Sequence, residues 1–185
     1  QGKVSLAKKA IKLGLEQHPT STNLKLFKVE IYVFENKLKE ANQLLDALYV
    51  LEPSNEEIYI QKANILSKDD KHQDAIKVLN IALDLAEESS ELHSLIGMEY
   101  LFLDNFEEAK QSFMRCLDDD MDDYSALYNI MYCFDFLNEN DEAITFLNSY
   151  LDKNPYCEVA WHQLGKQYFT IKQYEKSLSA FEFAI

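Results

Sequence analysis

Residues 158–185 read EVAWHQLGKQYFTIKQYEKSLSAFEFAI, and the register of this stretch decides how the whole chain is read. Phe181 and Ala184 follow Ser177 at spacings of four and seven, which trace one face of a helix. Moving 34 residues at a time towards the start of the chain, the place of Ser177 passes to Ala143, Ala109, Ala75, Ala41 and Ala7. The place of Phe181 passes to Leu147, Phe113, Leu79, Leu45 and Ile11, and that of Ala184 to Tyr150, Cys116, Ala82, Leu48 and Gly14. The only three prolines, Pro19, Pro53 and Pro155, also share one register. A fixed period of this size marks a stack of like supersecondary units.

Each unit is predicted to be a pair of antiparallel helices whose apolar stripe is covered only when neighbours stack. First helices are expected near 22–35, 56–68, 91–103, 124–137 and 158–171, and second helices near 4–17, 38–52, 72–86, 106–119, 140–153 and 174–185. The prolines close second helices, because they lack an N–H and restrict the residue before them. Ser21, Asn55, Ser90 and Asp123 stand where N-caps of the next first helix belong. Ala63, Gly97, Gly165 and the alanine series are small enough for close helix approach, while Trp161, Tyr100 and Phe113 fill space between helices. Strand signals are absent.

These residues resemble the tetratricopeptide repeat family. Its signature is fullest in the last repeat: Trp161, Leu164, Gly165, Tyr168, Ser177, Phe181 and Ala184, with Tyr174 at the turn. The preceding copies carry Leu127, Ile130, Met131, Phe134, Ala143, Leu147, Tyr150 and Pro155, and before them His93, Ile96, Gly97, Tyr100, Phe106, Ala109, Phe113 and Cys116. An earlier copy has Tyr59, Ala63, Leu66, Ala75, Leu79 and Ala82, with Lys62 where a buried leucine is usual. In the first whole repeat, Leu24, Phe27 and Ile31 fit only if one residue is inserted before Ala41. The resemblance implies an all-α protein, a right-handed superhelical α-solenoid of about five and a half 34-residue repeats. The expected organisation is a single domain over 1–185, with a half repeat at 3–20 and repeats at 21–55, 56–89, 90–123, 124–157 and 158–185. The chain opens on a second helix and closes on Phe181, Phe183 and Ile185, so it is expected to be a segment of a longer array, and end-to-end self-association of the isolated segment follows from its apolar close.

Composition bounds the function. With 47% hydrophobic and 12% aromatic residues, 185 residues supply ample core, and four glycines with three prolines leave no linker. No apolar run reaches membrane-spanning length and no signal pattern opens the chain. Cys116, Cys133 and Cys157 are odd in number, and Cys116 holds a small core place, so free reduced thiols and a cytoplasmic location are expected. The net charge is −14, concentrated in residues 84–142, where 17 acids face only Lys110 and Arg115. A field of this sign repels phosphate backbones and anionic lipid, so neither nucleic acid nor membrane insertion is expected, whereas a basic protein or peptide would be steered towards it. Solvation and helix capping account for most of these acids, such as Glu87-Glu88, Glu107-Glu108 and Asp141-Glu142 in the turns.

No catalytic, metal or cofactor constellation emerges, and an enzyme is not expected. Asp118, Asp120 and Asp122 alternate like the start of a calcium loop, but Asp123 stands where that loop needs glycine and Asn129 where it needs glutamate. His18, His72, His93 and His162 match no metal-ligand spacing, and His93, in the register of Trp161, is expected to pack. The glycines are isolated, and no serine sits in a nucleophile elbow.

In the tetratricopeptide family the first helices line a concave groove that binds extended or helical peptides. By register, the resemblance places Asn64, Glu91, Met98, Phe102, Tyr128, Asn129, Tyr132, Asp135, Phe136, His162 and Lys166 on that groove. The clamp by which some members grip a chaperone's C-terminal carboxylate is not matched. Lys25 and Asn64 suit it, but Glu91 and Leu95 stand where basic residues belong. The centre is instead aromatic, with tyrosines that offer large contact area and a polar tip. Asn64 and Asn129 suit a peptide backbone, and Glu91 and Asp135 suit basic side chains flanking an apolar anchor. The expected function is a scaffold binding a protein or peptide partner. The alternatives are a regulatory or targeting arm of a larger enzyme and a purely structural spacer.

Overall fold

The 34-residue period becomes a train of helices in the computed structural model, which describes residues 2–86 and 89–185. The helices are α1 (Gly2–Gln17), α2 (Thr22–Phe34), α3 (Leu38–Leu51), α4 (Glu56–Lys68), α5 (His72–Leu85), α6 (Ser90–Phe102), α7 (Phe106–Asp119), α8 (Tyr124–Leu137), α9 (Asn140–Lys153), α10 (Glu158–Thr170) and α11 (Tyr174–Phe183). Among the described residues there is no strand, and the fold is the expected all-α solenoid of helix pairs.

Every turn from a first helix to its second closes in the same way. Asn36, Asp70, Asp104, Asn138 and Lys172 take φ of 60°, 57°, 57°, 59° and 63°. The residue after each donates its N–H back across the helix end: Lys37 to Tyr32, Lys71 to Leu66, Asn105 to Tyr100, Glu139 to Phe134 and Gln173 to Tyr168, at 2.8–3.0 Å. This is the Schellman closure, in which a left-handed residue satisfies carbonyls the helix leaves open. Asparagine and aspartate enter that region more readily than other side chains; Lys172 has no such aptitude. The donating residue is also the N-cap residue of the following helix, and in all five its side chain makes no capping hydrogen bond.

Four of the first helices are capped by side chains; α10, with Cys157 at its N-cap, is not. Ser21 accepts from the Leu24 N–H at 3.4 Å, Asn55 from Glu57 at 3.2 Å and Asp123 from Ala126 at 3.0 Å, as their positions predict. At α6 the expectation is off by one, because Ser90 is already helical and Ser89 accepts from Leu92 at 3.2 Å. The predicted insertion in the first whole repeat is also absent, since α2 begins 34 residues before α4. In the unbroken register Leu26 and Val29 are buried, while Phe27 is 51% exposed.

The chain divides into two compact units, Gln1–Leu92 and His93–Ile185, with the division inside α6. The first has a core of Leu26, Val29, Ala41, Leu45, Leu48, Ile58 and Ile65. The second is built on Phe113, Cys116, Leu127, Ile130, Phe134, Leu147, Leu151 and Leu164. Ala41, Ala75, Ala109 and Ala143 are wholly buried, and Ser177 is buried too, its hydroxyl donating to the Gly165 carbonyl at 2.8 Å. The small residues of the first helices set how near the second helices come. A Cβ on Gly97 would meet the Phe113 ring at 2.8 Å, and one on Gly165 the Phe181 ring at 2.7 Å. Met131 fills the same register in α8, and there α8 and α9 stand further apart than α10 and α11.

Candidate protein-binding face

The expected groove residues fall on both units. Asn64 (α4) and Glu91 (first turn of α6) are exposed on the first. The other nine lie on the second: Met98 and Phe102 on α6, Tyr128, Asn129, Tyr132, Asp135 and Phe136 on α8, His162 and Lys166 on α10. Tyr128, Tyr132 and Phe136 follow one another at intervals of four, so they form a single stripe. The opposite stripe of α8 (Ala126, Leu127, Ile130, Met131, Phe134) is buried, which forces the aromatic stripe outwards. From Met98 at 37% to Phe102 at 58%, the large apolar side chains of this face remain about half exposed.

The rings on α8 are held from behind by a residue outside the set expected from register. Phe136 stacks on Phe106 with centroids 4.1 Å apart and planes 17° apart, and Tyr132 lies 5.3 Å from Phe136 and 6.1 Å from Phe106. Phe106 belongs to a second helix, where no groove residue is expected, but it opens α7 directly after the Schellman turn and so stands at the edge of the face. Tyr174, in the same register, meets an aromatic of its own repeat instead, Phe169 at 5.5 Å. That repeated aromatic at the turn was the available signal.

Polar contacts join the first helices of the second unit. Asp135 accepts from Lys166 at 2.7 Å and from Gln167 at 2.8 Å, linking α8 to α10. The carboxylate expected to meet a partner's basic side chain is thus already engaged. The Asn129 amide reaches the Met98 sulfur at 4.0 Å, a long contact between α8 and α6. His162 packs beside Phe181, with centroids 5.5 Å apart. Lys110 is buried between Glu107 and Glu139, with its ammonium 4.9 Å from the Phe134 ring centre. Burial opposes its charge, but hydrogen bonds to the two carboxylates outweigh burial and hold its pKa above the ordinary lysine value.

His93 forms a polar tie instead of simply packing, its Nδ1 lying 2.8 Å from Asp119. In the same register Tyr59 donates to the Pro53 carbonyl and Trp161 to that of Pro155, both at 2.7 Å. At Tyr59 and Trp161 this place ties a first helix back to the segment before it, whereas at His93 it ties α6 to the end of the second helix that follows. The aspartate run serves local structure: Asp120 accepts from the Asp122 N–H, and Asp123 caps α8 while accepting from the Cys116 thiol at 3.2 Å. Among the described residues no group of histidine, cysteine and carboxylate side chains is arranged to hold a metal, and no helix is long and apolar enough to cross a membrane. The three cysteines are free and buried. Burial, with Asp123 alongside, pushes the Cys116 thiol up to about 12, and burial pushes Cys133 up to about 11.

Residues 5–163 match the family described as the coatomer epsilon subunit. Anaphase-promoting complex subunit 3 of Schizosaccharomyces pombe (strain 972 / ATCC 24843) is 26% identical over 130 residues, which are 70% of this chain and 20% of that protein. The chain thus spans about a fifth of that relative. Among solved structures, YrrB, described as a TPR protein with an unusual peptide-binding site, superposes with a TM-score of 0.62 at 19% identity over 95% of this chain and 91% of that one. A chain of the APC/C hetero-tetramer Cut9-Hcn1 gives 0.67 at 18% identity over 99% of this chain and 36% of that one. MamA gives 0.65 at 18% identity over 88% and 89%. These likenesses show the fold, that of a tetratricopeptide repeat stack.

Proposed function

The chain belongs to the coatomer epsilon-subunit family, and we propose that it is a protein-interaction scaffold that takes a peptide or protein partner on the outward face of its first helices. The observation that carries this reading is the exposed aromatic stripe Tyr128, Tyr132 and Phe136, backed by Phe106. A contiguous apolar patch on a charged surface marks an interaction site, and aromatic side chains dominate binding energy where they cluster. The helices beneath are fixed by a packed core, so little ordering is needed on binding.

The partner we propose is basic, since acids exceed bases by 17 to 6 across residues 93–185. YrrB, described with a peptide-binding site, and Cut9-Hcn1, a hetero-tetramer, support partner binding as the general use of such a stack. Within the second unit, Met98, Phe102, Asn129, His162 and the Asp135–Lys166 pair complete the proposed surface, and Asn64 and Glu91 are candidates on the first unit alone. The reading assigns no reaction to the chain, and its free cysteines favour a reducing compartment such as the cytoplasm.

The test is affinity capture from source-cell extract with the wild-type chain and with Tyr128→Ala/Tyr132→Ala, helicity being checked by circular dichroism. Proteins held by the first and lost by a fully helical variant are expected. Identical capture by both would remove the aromatic stripe from the binding surface.

A further inference from the structure

We propose that the anchor taken by the aromatic edge of the second unit is a cationic side chain, arginine above all, presented by a partner peptide. The inference rests on the aromatic stripe being a binding surface and names what that surface selects. Phe106 and Phe136 form a near-parallel two-ring slab, with Tyr132 against it and the Phe136 and Tyr132 rings about half exposed. The face of such a ring carries negative quadrupole density and attracts a cation placed over it. A planar guanidinium also stacks there, which an ammonium cannot do.

Charge around the slab points the same way. Residues 93–139 contain eleven acids and two bases, Lys110 and Arg115. Lys110 is buried and held by Glu107 and Glu139, while Arg115 lies about 13 Å along α7 from Phe106 at the rise of a helix. On α10, Lys166 is tied to Asp135. Among the described residues the cation–π contacts fall on Tyr32, Phe134 and Tyr168 and none on Phe106, Tyr132 or Phe136, and exposed Asp104 sits on the turn before Phe106. The chain makes this kind of contact elsewhere, with Lys110 over Phe134 and Lys176 over Tyr168. An acidic partner would meet repulsion, and a neutral apolar anchor would gain nothing from the field.

The experiment passes heptapeptide pools over the immobilised 185-residue chain, with the central residue fixed as arginine, lysine, citrulline, leucine or glutamate and the flanks randomised. The arginine pool should be retained about five- to tenfold better than the citrulline pool, the size of a cation–π contact on a half-exposed ring. That preference should collapse in Tyr132→Leu and Phe136→Leu, which keep apolar area and remove the ring, and should weaken with salt less steeply in Asp104→Asn. Thermal unfolding confirms that each variant is folded. Equal retention of arginine and citrulline would overturn the inference. Best retention of the leucine pool, lost in Tyr128→Ala/Tyr132→Ala, would overturn it while leaving the binding surface intact. Retention of no pool would overturn both.

Discussion

Gly97 and Phe113 share one space: the ring of Phe113 lies where a Cβ on residue 97 would come within 2.8 Å of it. Gly165 and Phe181 repeat the arrangement two repeats later, at 2.7 Å. In another copy the same two places hold Ala63 and Leu79, so the chain itself offers a second solution, an aliphatic side chain in place of the ring and alanine in place of glycine. Gly97→Ala should therefore destabilise by about 1–2 kcal/mol, because overpacking outweighs the roughly 1 kcal/mol that alanine gains in a helix. Adding Phe113→Leu should recover part of that loss, with a coupling of about 1 kcal/mol in a double-mutant cycle by urea denaturation. Strict additivity would mean that the contact does not govern the hairpin.

Lys172 is the outlier among five left-handed turn residues, the other four being asparagine or aspartate. Lys172→Asn should raise stability by about 0.5–1 kcal/mol, since a side chain without local hydrogen-bonding ability pays most in this region. The urea midpoint is the readout. A lower midpoint would show that the lysine makes a compensating contact.

Asp123 has two tasks, capping α8 and accepting from Cys116. Asp123→Ala should cost about 1 kcal/mol or more through loss of the cap. Asp123→Asn keeps a good capping side chain and removes the charge, so it should cost less while lowering the Cys116 pKa. Equal losses in the two variants would mean that the carboxylate charge matters more than the cap.

The buried thiols make stability depend on pH at the alkaline end. Burial raises Cys116 to about 12 and Cys133 to about 11, whereas an unfolded thiol ionises near 9.0. The folded chain keeps protons that the unfolded chain has released, so this contribution is whole below pH 9 and is lost as pH rises through the folded values. Cys116→Ala, which places the side chain of Ala82 and Ala184 in that register, should flatten the loss between pH 9 and 11. At pH 8 a disulfide reagent should label none of the cysteines in the folded chain and all three after denaturation. Rapid labelling of the folded chain would contradict their burial.

The helices were legible almost to the residue, because a period repeated five times averages away the ambiguity of any one segment. The departures are local. Ser89 caps α6 because two serines stand together and either could end the turn. Phe27 drew the first repeat out of register because a large aromatic suggests core, yet Val29 and Leu26 take the interior. The left-handed turn residues were also present in the sequence as Asn36, Asp70, Asp104 and Asn138, but Lys172 breaks the pattern.

The binding face was legible only as a row of positions. That Tyr128, Tyr132 and Phe136 share one stripe of a helix follows from spacing alone. Spacing could not show that Phe106 arrives from a second helix to stack on Phe136, or that Lys166 and Gln167 engage Asp135. By itself the sequence determined the repeat, the helices and the outward stripe, because each depends on interactions within one period. Only the tertiary structure decided which rings touch and which charges are neutralised, because those contacts join different helices, α7 with α8 and α8 with α10, and depend on how neighbouring repeats stack.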